Sequence, residues 1–256
     1  MEKPLPSAQV YSQNIVGYQQ KALTQNGYTF TGATFVPVGM DGSAMTLSEI
    51  KANANFVPFE DSIQIFDSAG SLVALVTYVS QAKLVEWEME ETNEPGWYDL
   101  VDEELAAGPL DIPLPFGYGV TAFTGYAGAA LVYAGEVVQD DVRISLIQGG
   151  YTFAVNVAPV DLLLGDIVAN ANFVPFEDSI QIFDSTGAPV ALATYVSQAK
   201  LVEWEMEETN EPGWYDLVDE ELTGATYNDI PMLAGDGMTV FTGYSGVELI
   251  IPNPLP

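Results

Sequence analysis

Residues 53–105 read NANFVPFEDSIQIFDSAGSLVALVTYVSQAKLVEWEMEETNEPGWYDLVDEEL, and residues 170–222 repeat this stretch 117 positions later, with 49 of 53 positions identical. The four differences are Ala69/Thr186, Ser71/Ala188, Leu72/Pro189 and Val76/Ala193. Half of the 256 residues is a common size for one domain. The duplication therefore predicts two tandem domains: residues 1–138 with an extended, Pro-containing N-terminal tail, and residues 139–256 with a Pro-rich C-terminal tail.

Shorter matches extend the repeat on both sides. GYTF occurs at residues 27–30 and 150–153, and TAFTGY at residue 121 is answered by TVFTGY at residue 239, with offsets of 123 and 118. The flanks therefore carry insertions or deletions. A recent duplication explains the near-identity without any function. The alternative is that both copies present the same surface to the same kind of partner.

The repeated stretch indicates β-structure. DSIQIFD alternates apolar and polar residues, and the Gly-containing turn after it leads into the apolar run LVALVTYV, so the pair predicts a hairpin. Further strands are predicted at residues 14–23, 28–38, 119–124, 130–133, 143–147 and 247–251, with short helical turns at residues 46–52 and 99–105. Several short strands separated by Gly, Pro and Asn turns predict an all-β fold, a jelly-roll-like β-sandwich in each half.

The segment LVEWEMEE, residues 84–91, is predicted as one more strand. A period of two places Glu86, Glu88 and Glu90 on one side and Val85, Trp87 and Met89 on the other. The side chains expected in the two cores are Ile63, Ile65, Val85 and Trp87, and their counterparts Ile180, Ile182, Val202 and Trp204.

Composition excludes several classes of function. The chain has 36 Asp and Glu against 6 Lys and Arg, a formal net charge of −30, and its basic residues are scattered singly, which disfavours nucleic acid as a partner. It has no Cys and no His, so the usual thiol nucleophiles, His bases and zinc sites are absent. No apolar run reaches the roughly 18 residues of a membrane span. We expect a protein that is not an enzyme.

The chain resembles uncharacterised secreted β-domain proteins of environmental bacteria. The residues that carry the resemblance are SQNIVGYQ at residues 12–19, the GYTF strand, the DSIQIFDSAG hairpin, the GWYD loop and AGEV at residues 134–137. The resemblance covers most of residues 12–138 and, without the opening motif, most of 142–251. It implies export and a β-fold and supplies no catalytic residues. The second half ends in LIIPNPLP where the first has LVYAGEV, so the resemblance leaves the last strand undecided.

Carboxylates concentrate in the repeat. Nine lie within residues 86–104 and nine more within residues 203–221, together half of the 36 in the chain. Alternate residues of a strand lie about 6.5 to 7 Å apart, so neighbouring carboxylates can share a hard cation, and calcium is the natural candidate. The predicted ligands are Glu86, Glu88, Glu90 and Asp99, with Glu203, Glu205, Glu207 and Asp216. The alternative is a solvated acidic face that keeps the protein soluble.

The motif PGWYD places adjacent aromatic residues after a turn in each copy. Exposed rings beside carboxylates can hold a sugar, which makes Trp97, Tyr98, Trp214 and Tyr215 a candidate carbohydrate site; the alternative is that these rings anchor the core. Two further chemistries have little support. Paired carboxylates for glycoside hydrolysis are uninformative among 36 acids, and Ser80 and Lys83 lie in a run predicted as strand and turn.

These features predict an extracellular structural protein, a self-assembling subunit of a surface layer, sheath, tube or filament at the cell surface. A carbohydrate-binding or adhesive module that binds cell-surface glycan is the main alternative, and an acidic cytosolic protein of a high-salt organism is a third. The predicted partner is the chain itself. Head-to-tail polymerisation would repeat the contact between the two domains, with residues 1–13 or 252–256 docking on the next subunit.

Overall fold

The computed structural model describes residues 16–32, 34–35, 45–67, 70–114, 116–138, 140–158, 160–184 and 187–252. Of these residues 43% lie in strands and 8% in helices, so the prediction of an all-β chain is confirmed. The strands of the first half, called the first unit, are β1 Val16–Ala22, β2 Gly27–Gly32, β3 Met45–Thr46, β4 Lys51–Ala52, β5 Ser62–Phe66, β6 Leu72–Val79, β7 Gly96–Asp99, β8 Pro113–Leu114, β9 Gly119–Thr124 and β10 Ala130–Glu136. A helix, α1 Gln81–Glu86, and a 3-10 turn, Leu47–Glu49, complete the first unit.

The second unit repeats this plan. Its strands are β11 Val142–Ser145, β12 Gly150–Val155, β13 Leu162–Leu163, β14 Val168–Ala169, β15 Ser179–Phe183, β16 Pro189–Val196, β17 Gly213–Asp216, β18 Pro231–Met232, β19 Gly237–Thr242 and β20 Glu248–Ile251. It contains helix α2, Gln198–Glu203, and a 3-10 turn, Leu164–Asp166. The predicted hairpin and most other predicted strands form close to the expected bounds. The predicted strand at residues 28–38 ends at Gly32, and residues 36–38 lie outside the described part of the chain.

Each unit contains three antiparallel sheets. In the first unit the strand orders are β2-β9-β5-β6-β7, β1-β10-β4 and β3-β8, and in the second they are β12-β19-β15-β16-β17, β11-β20-β14 and β13-β18. In the first sheet, alternation along β5 buries Ile63 and Ile65. The turn after β5 is fixed by Asp67, which accepts a hydrogen bond from the Ser71 N–H at 2.8 Å.

The jelly-roll prediction is not confirmed. The four larger sheets, two from each unit, give a four-bladed, propeller-like arrangement. In a jelly roll, successive strands repeatedly cross between two facing sheets. Here β7 instead pairs with β6 in the same sheet, with Thr77 opposite Tyr98 and Val79 opposite Gly96. The sequence specifies where strands begin and end, but this pairing depends on contacts between distant residues.

Each unit has its own apolar core and a smaller cluster beside it. The first core joins side chains from the five-stranded and three-stranded sheets, among them Ile63, Val120, Leu131 and Tyr133. The second core repeats this composition around Ile180, Val240 and Leu249. The smaller clusters, which we call the corner clusters, lie under the two helices and consist of Val79, Leu84, Tyr98 and Leu105, and of Val196, Leu201, Tyr215 and Leu222.

The two units pack through the same surface of each. Phe30 of β2 stacks on Phe183 of β15 with ring centroids 4.3 Å apart, and the equivalent residues Phe153 and Phe66 stack at 4.5 Å. Phe30 and Phe153, which are equivalent to each other, also stack, at 6.2 Å. Phe30 therefore contacts the equivalent of Phe66, and Phe66 contacts the equivalent of Phe30. Such a reciprocal contact is isologous, so the interface has an approximate two-fold axis.

The β5–β6 and β15–β16 turns follow the same symmetry. A Cβ on Gly187 would lie 2.5 Å from the carbonyl oxygen of Tyr28, and a Cβ on Gly70 would lie 2.9 Å from the carbonyl oxygen of Tyr151. An isologous contact uses each surface once and closes. A head-to-tail polymer would therefore have to use other surfaces of the chain, and head-to-tail polymerisation stays a prediction. The terminal segments expected to dock, residues 1–13 and 252–256, lie outside the described residues except for Pro252.

Within the described residues, no helix has the length and apolar character needed to cross a membrane.

Candidate functional site

The predicted carboxylate ladder does not form, because residues 81–86 form a helix and the chain turns after it. Ser80 caps the N-terminus of α1 by accepting a hydrogen bond from the Lys83 N–H, and Ser197 does the same for α2. The helix ends at Glu86, and Glu88 adopts a left-handed backbone conformation with φ of 58°. Alternate residues of this segment therefore do not share one face.

The helix also changes which side chains are buried. Leu84 is the buried residue of α1, whereas Val85 is 53% exposed and Trp87 is 36% exposed. In the second unit Val202 is 53% exposed and Trp204 is partly buried against its corner cluster. The prediction of Val85, Trp87, Val202 and Trp204 as core residues is wrong, while Ile63, Ile65, Ile180 and Ile182 are buried as expected.

The predicted calcium ligands are dispersed. No group of three or more carboxylates that could hold a metal ion occurs among the residues that the structure describes. Glu86 and Glu203 accept hydrogen bonds from Lys83 and Lys200 at 2.8 Å, and Glu88, Glu90, Glu205 and Glu207 are exposed on the segments after the helices. The structure does not bring these residues together with Asp99 or Asp216 into one coordination shell. Calcium binding stays a prediction.

Asp99 and Asp216 organise turns in the backbone. Asp99 accepts a hydrogen bond from the Val101 N–H, and Asp216 accepts one from the Val218 N–H, both at 3.0 Å. Asp216 also accepts a hydrogen bond from the Tyr227 hydroxyl at 2.7 Å. These two donors, the backbone N–H first, hold the pKa of Asp216 below its ordinary value.

The aromatic residues of the PGWYD motif belong to the cores. Trp97 and Trp214 are 1% and 0% exposed, and their indole N–H groups donate to the carbonyl oxygens of Ile50 and Ile167 at 2.7 Å. Tyr98 and Tyr215 are buried in the corner clusters and donate to the carbonyl oxygens of Glu94 and Glu211. Rings in these positions have no free face for a sugar. The core-anchoring alternative describes them, and the carbohydrate site predicted on these four residues is not present.

Ser80 and Lys83 lie on the first turn of a helix, whereas the sequence predicted a strand and a turn there. Their side chains have separate partners: the Ser80 hydroxyl accepts from the Lys83 N–H, and the Lys83 ammonium bonds Glu86. The hydroxyl therefore caps the helix, and the ammonium is held by a carboxylate rather than by the hydroxyl.

A cleft of about 270 Å³ lies where the two units meet. We call it the inter-unit cleft; its wall residues include Gln19, Lys21, Phe30, Phe183 and Asp236. The Lys21 ammonium forms an ion pair with Asp236, and the two side chains are only 14% and 19% exposed.

Some polar groups of the inter-unit cleft join the two units, and others form hydrogen bonds within one unit. Gln19 donates to the carbonyl oxygen of Ala234 at 2.7 Å and accepts from the Thr34 hydroxyl at 2.6 Å. Leu233 and Ala234 each donate a backbone N–H to a carboxylate, of Asp236 and Asp161. The sequence did not indicate this site, because Lys21 and Asp236 are 215 residues apart and each looks like an isolated surface charge.

The symmetry-related side of the interface has an aromatic and an apolar side chain in place of the ion pair. Tyr118 occupies the position equivalent to Asp236, packs on the core of the second unit, and donates its hydroxyl to the carbonyl oxygen of Ser145 at 3.1 Å. Ile144 occupies the position equivalent to Lys21 and lies against Gly117, where a Cβ would be 2.9 Å from the Ile144 Cγ1.

Comparison of the chain with protein-family models, with curated proteins and with solved structures gave no match. The resemblance to secreted β-domain proteins therefore stays a prediction.

Proposed function

We propose that this protein is an extracellular structural protein, a self-assembling subunit of a surface layer, sheath or filament, and that it acts as a connector with two like ends. The supporting observation is that the two units use their shared surface on each other, which leaves a matching corner at the outer edge of each five-stranded sheet. Each corner consists of the capped helix, the acidic segment after it and the turn after β7 or β17.

The corners carry exposed apolar residues in an acidic surround. Val101 and Val218 are 84% and 83% exposed, the largest values among the exposed large hydrophobic residues described, and Val85 and Val202 are half exposed. Exposed apolar residues at two equivalent places suit a protein that joins to others of its kind at both ends. The carboxylates around them would repel a second corner, so contact is expected to need salt or a divalent cation, with calcium as the proposed ion.

The test alters one corner or both. Val85→Asn with Val101→Asn changes the first corner, Val202→Asn with Val218→Asn changes the second, and Tyr18→Asn, a 68% exposed position on β1, is the matched control. Light scattering and negative-stain microscopy at rising protein concentration, with and without calcium at constant ionic strength, should show extended assemblies for the native chain and for the control.

The two kinds of corner variant should differ in a defined way. With one corner altered, the remaining like ends can only pair, so assembly should stop at dimers. With both corners altered, the chain should stay a 27.6 kDa monomer. The proposal is wrong if the native chain remains monomeric at high concentration with calcium, or if one-corner variants assemble as the native chain does.

A further inference from the structure

The first unit has an open cleft of about 280 Å³ beside the outer edge of β7, which we call the β7 cleft. Its wall includes Ser48, Lys51, Pro95, Trp97, Leu110 and Asp111. The second unit has the same strands and nearly the same sequence around them, so the two units can be compared group by group.

The edge of β7 presents backbone groups to this cleft. The Leu100 N–H donates to the Leu75 carbonyl at 3.0 Å, which fixes the alternation of the ladder and turns the N–H and C=O of Trp97 away from β6. The Trp97 carbonyl accepts the Leu110 N–H at 2.6 Å. Among the described residues none accepts the Trp97 N–H, so this donor faces the β7 cleft.

In the second unit an asparagine fills the same place. Leu110 corresponds to Tyr227 at an offset of 117, and Asp111 corresponds to Asp229 at an offset of 118, so Asn228 is an extra residue. Its Oδ1 accepts the Trp214 N–H at 2.9 Å, and its Nδ2 lies 3.4 Å from the Pro212 carbonyl oxygen, to which it donates.

Glycine makes room for that asparagine. A Cβ on Gly165 would lie 2.8 Å from the Asn228 Cβ, and a Cβ on Gly213 would lie 2.3 Å from the Asn228 Oδ1. The first unit has Ser48 in place of Gly165, and its Asp111 carboxylate accepts the Ser48 N–H at 3.2 Å. The Asn228 carbonyl accepts the corresponding Gly165 N–H in the second unit at 2.9 Å.

The charge of the two places also differs. Lys51 lines the β7 cleft, whereas the equivalent residue of the second unit is Val168. Lys51 forms no ion pair with any residue that the structure describes, unlike Lys21, Lys83 and Lys200. A ligand that brings a carboxylate next to its amide would therefore find a free cation in the β7 cleft.

We propose that the β7 cleft binds the side-chain amide of an asparagine on an extended peptide, with an acidic residue beside it. The amide oxygen accepts the Trp97 N–H, the amide nitrogen donates to the Pro95 carbonyl, and the neighbouring carboxylate pairs with Lys51. The observation that carries the proposal is Asn228, which makes the first two of these contacts in the second unit. The cleft adjoins the first corner, but its wall contains neither Val85 nor Val101, the residues altered in the assembly test.

The probe is the chain's own sequence Ala-Thr-Tyr-Asn-Asp-Ile-Pro, residues 225–231, as a blocked peptide added to the full-length protein. The backbone amide shifts are measured by nuclear magnetic resonance at fixed salt. The Trp97 amide reports on the open β7 cleft, and the Trp214 amide reports on the equivalent place in the second unit, which Asn228 fills. The Trp97 amide should shift saturably while Trp214 does not. Replacing the peptide's Asn by Leu should weaken binding about tenfold or more, because a hydrogen bond to an otherwise unpaired donor is lost.

Two variants of the protein provide matched controls. Inserting Asn after Leu110 together with Ser48→Gly copies the second unit into the first and should abolish peptide binding. Asn228→Gly should open the second cleft and raise the stoichiometry from one peptide to two, with the Trp214 amide now shifting. If the Trp97 and Trp214 shifts show that one of these variants has lost its fold, Lys51→Val is used in its place. Lys51→Val should weaken binding of the Asn-Asp peptide but not of a peptide with Asn-Ala.

Propionamide distinguishes the source of the amide. If propionamide shifts the Trp97 amide saturably and as strongly as the peptide does, the β7 cleft binds small free amides. The proposed recognition of a carboxamide group then still holds. No shift with either probe, equal binding of the Asn and Leu peptides, or unchanged binding after the insertion overturns the proposal.

Discussion

The two sides of the interface between the units are made from equivalent positions with opposite chemistry. On one side Lys21 pairs with Asp236, and on the other Ile144 and Tyr118 occupy the corresponding places. The centre is the same for both, a stack of phenylalanine rings around the approximate two-fold axis. The stack therefore determines how the units meet, while the rim of the interface accepts either an ion pair or an apolar contact.

We expect the largest loss of stability from substitutions in the two cores, which test whether the cores of the two units are equivalent. Trp97→Ala and Trp214→Ala each remove a buried indole and its hydrogen bond, so each should lower the free energy of unfolding by about 3 to 5 kcal/mol. Trp87→Ala, at a partly exposed corner residue, should cost about 1 kcal/mol. Urea unfolding followed by circular dichroism measures all three; a loss at Trp87 equal to that at Trp97 would restore Trp87 to the core.

The next effect compares the two sides of the interface. Tyr118→Ala removes packing against the second core and should cost about 2 to 3 kcal/mol, at low and high salt alike. Asp236→Ala leaves Lys21 largely buried without its partner and should cost about 1 to 3 kcal/mol, less than for a fully buried pair because both side chains keep some water contact.

The matched control for the ion pair replaces it with the residues found at the equivalent positions on the other side. Lys21→Ile with Asp236→Tyr copies the apolar side onto the polar side and should recover most of the loss, since an apolar replacement of a buried ion pair is often neutral or stabilising. The double variant should also lose the salt dependence of stability contributed by the pair. If it is less stable than Asp236→Ala alone, the two sides are not interchangeable.

The smallest expected effect concerns a tyrosine that only the first unit has. Tyr133 of β10 is buried with an unpaired hydroxyl, and burial raises its pKa; the equivalent residue in the second unit is Ile251. The hydroxyl stays protonated in the folded chain above pH 10, where the unfolded chain releases the proton. Stability from this group is thus complete below about pH 10 and is lost as pH rises further.

Tyr133→Phe should therefore change stability at pH 7 by less than about 1 kcal/mol and move the alkaline unfolding midpoint to higher pH. Melting temperatures between pH 8 and pH 12 provide the measurement, and Tyr28→Phe, at an exposed ring, is the control. An alkaline midpoint that does not move would assign the transition to other tyrosines.

Local patterns predicted much of the fold. The alternation in DSIQIFD and the turn residues after it placed β5 and β6 to within a residue or two. The alternation in LVEWEMEE misled, because the run begins inside the last turn of α1 and continues through a turn in which Glu88 is left-handed. Ser80 was the available signal for that helix, since a Ser that caps the N-terminus distinguishes a helix start from a strand.

Contacts between distant residues account for what the sequence left open. The buried Trp97 indole donates a hydrogen bond to the carbonyl of Ile50, 47 residues upstream, and no local sequence pattern predicts this contact. The interface depends on Phe30 meeting Phe183, and the inter-unit cleft depends on Lys21 meeting Asp236. The β7 cleft did have a signal: the offset between the copies changes from 117 to 118 at Asn228.

The most direct test of the account is whether both symmetry-related contacts occur within one chain. The protein has no cysteine, so any introduced pair reports alone. Tyr28→Cys with Ala188→Cys and Tyr151→Cys with Ser71→Cys place thiols at exposed positions beside the two equivalent turn contacts. With a short bismaleimide at dilute protein concentration, both double variants should cross-link within the monomer. Cross-linking of one pair only, or only between chains, would contradict the closed two-fold contact.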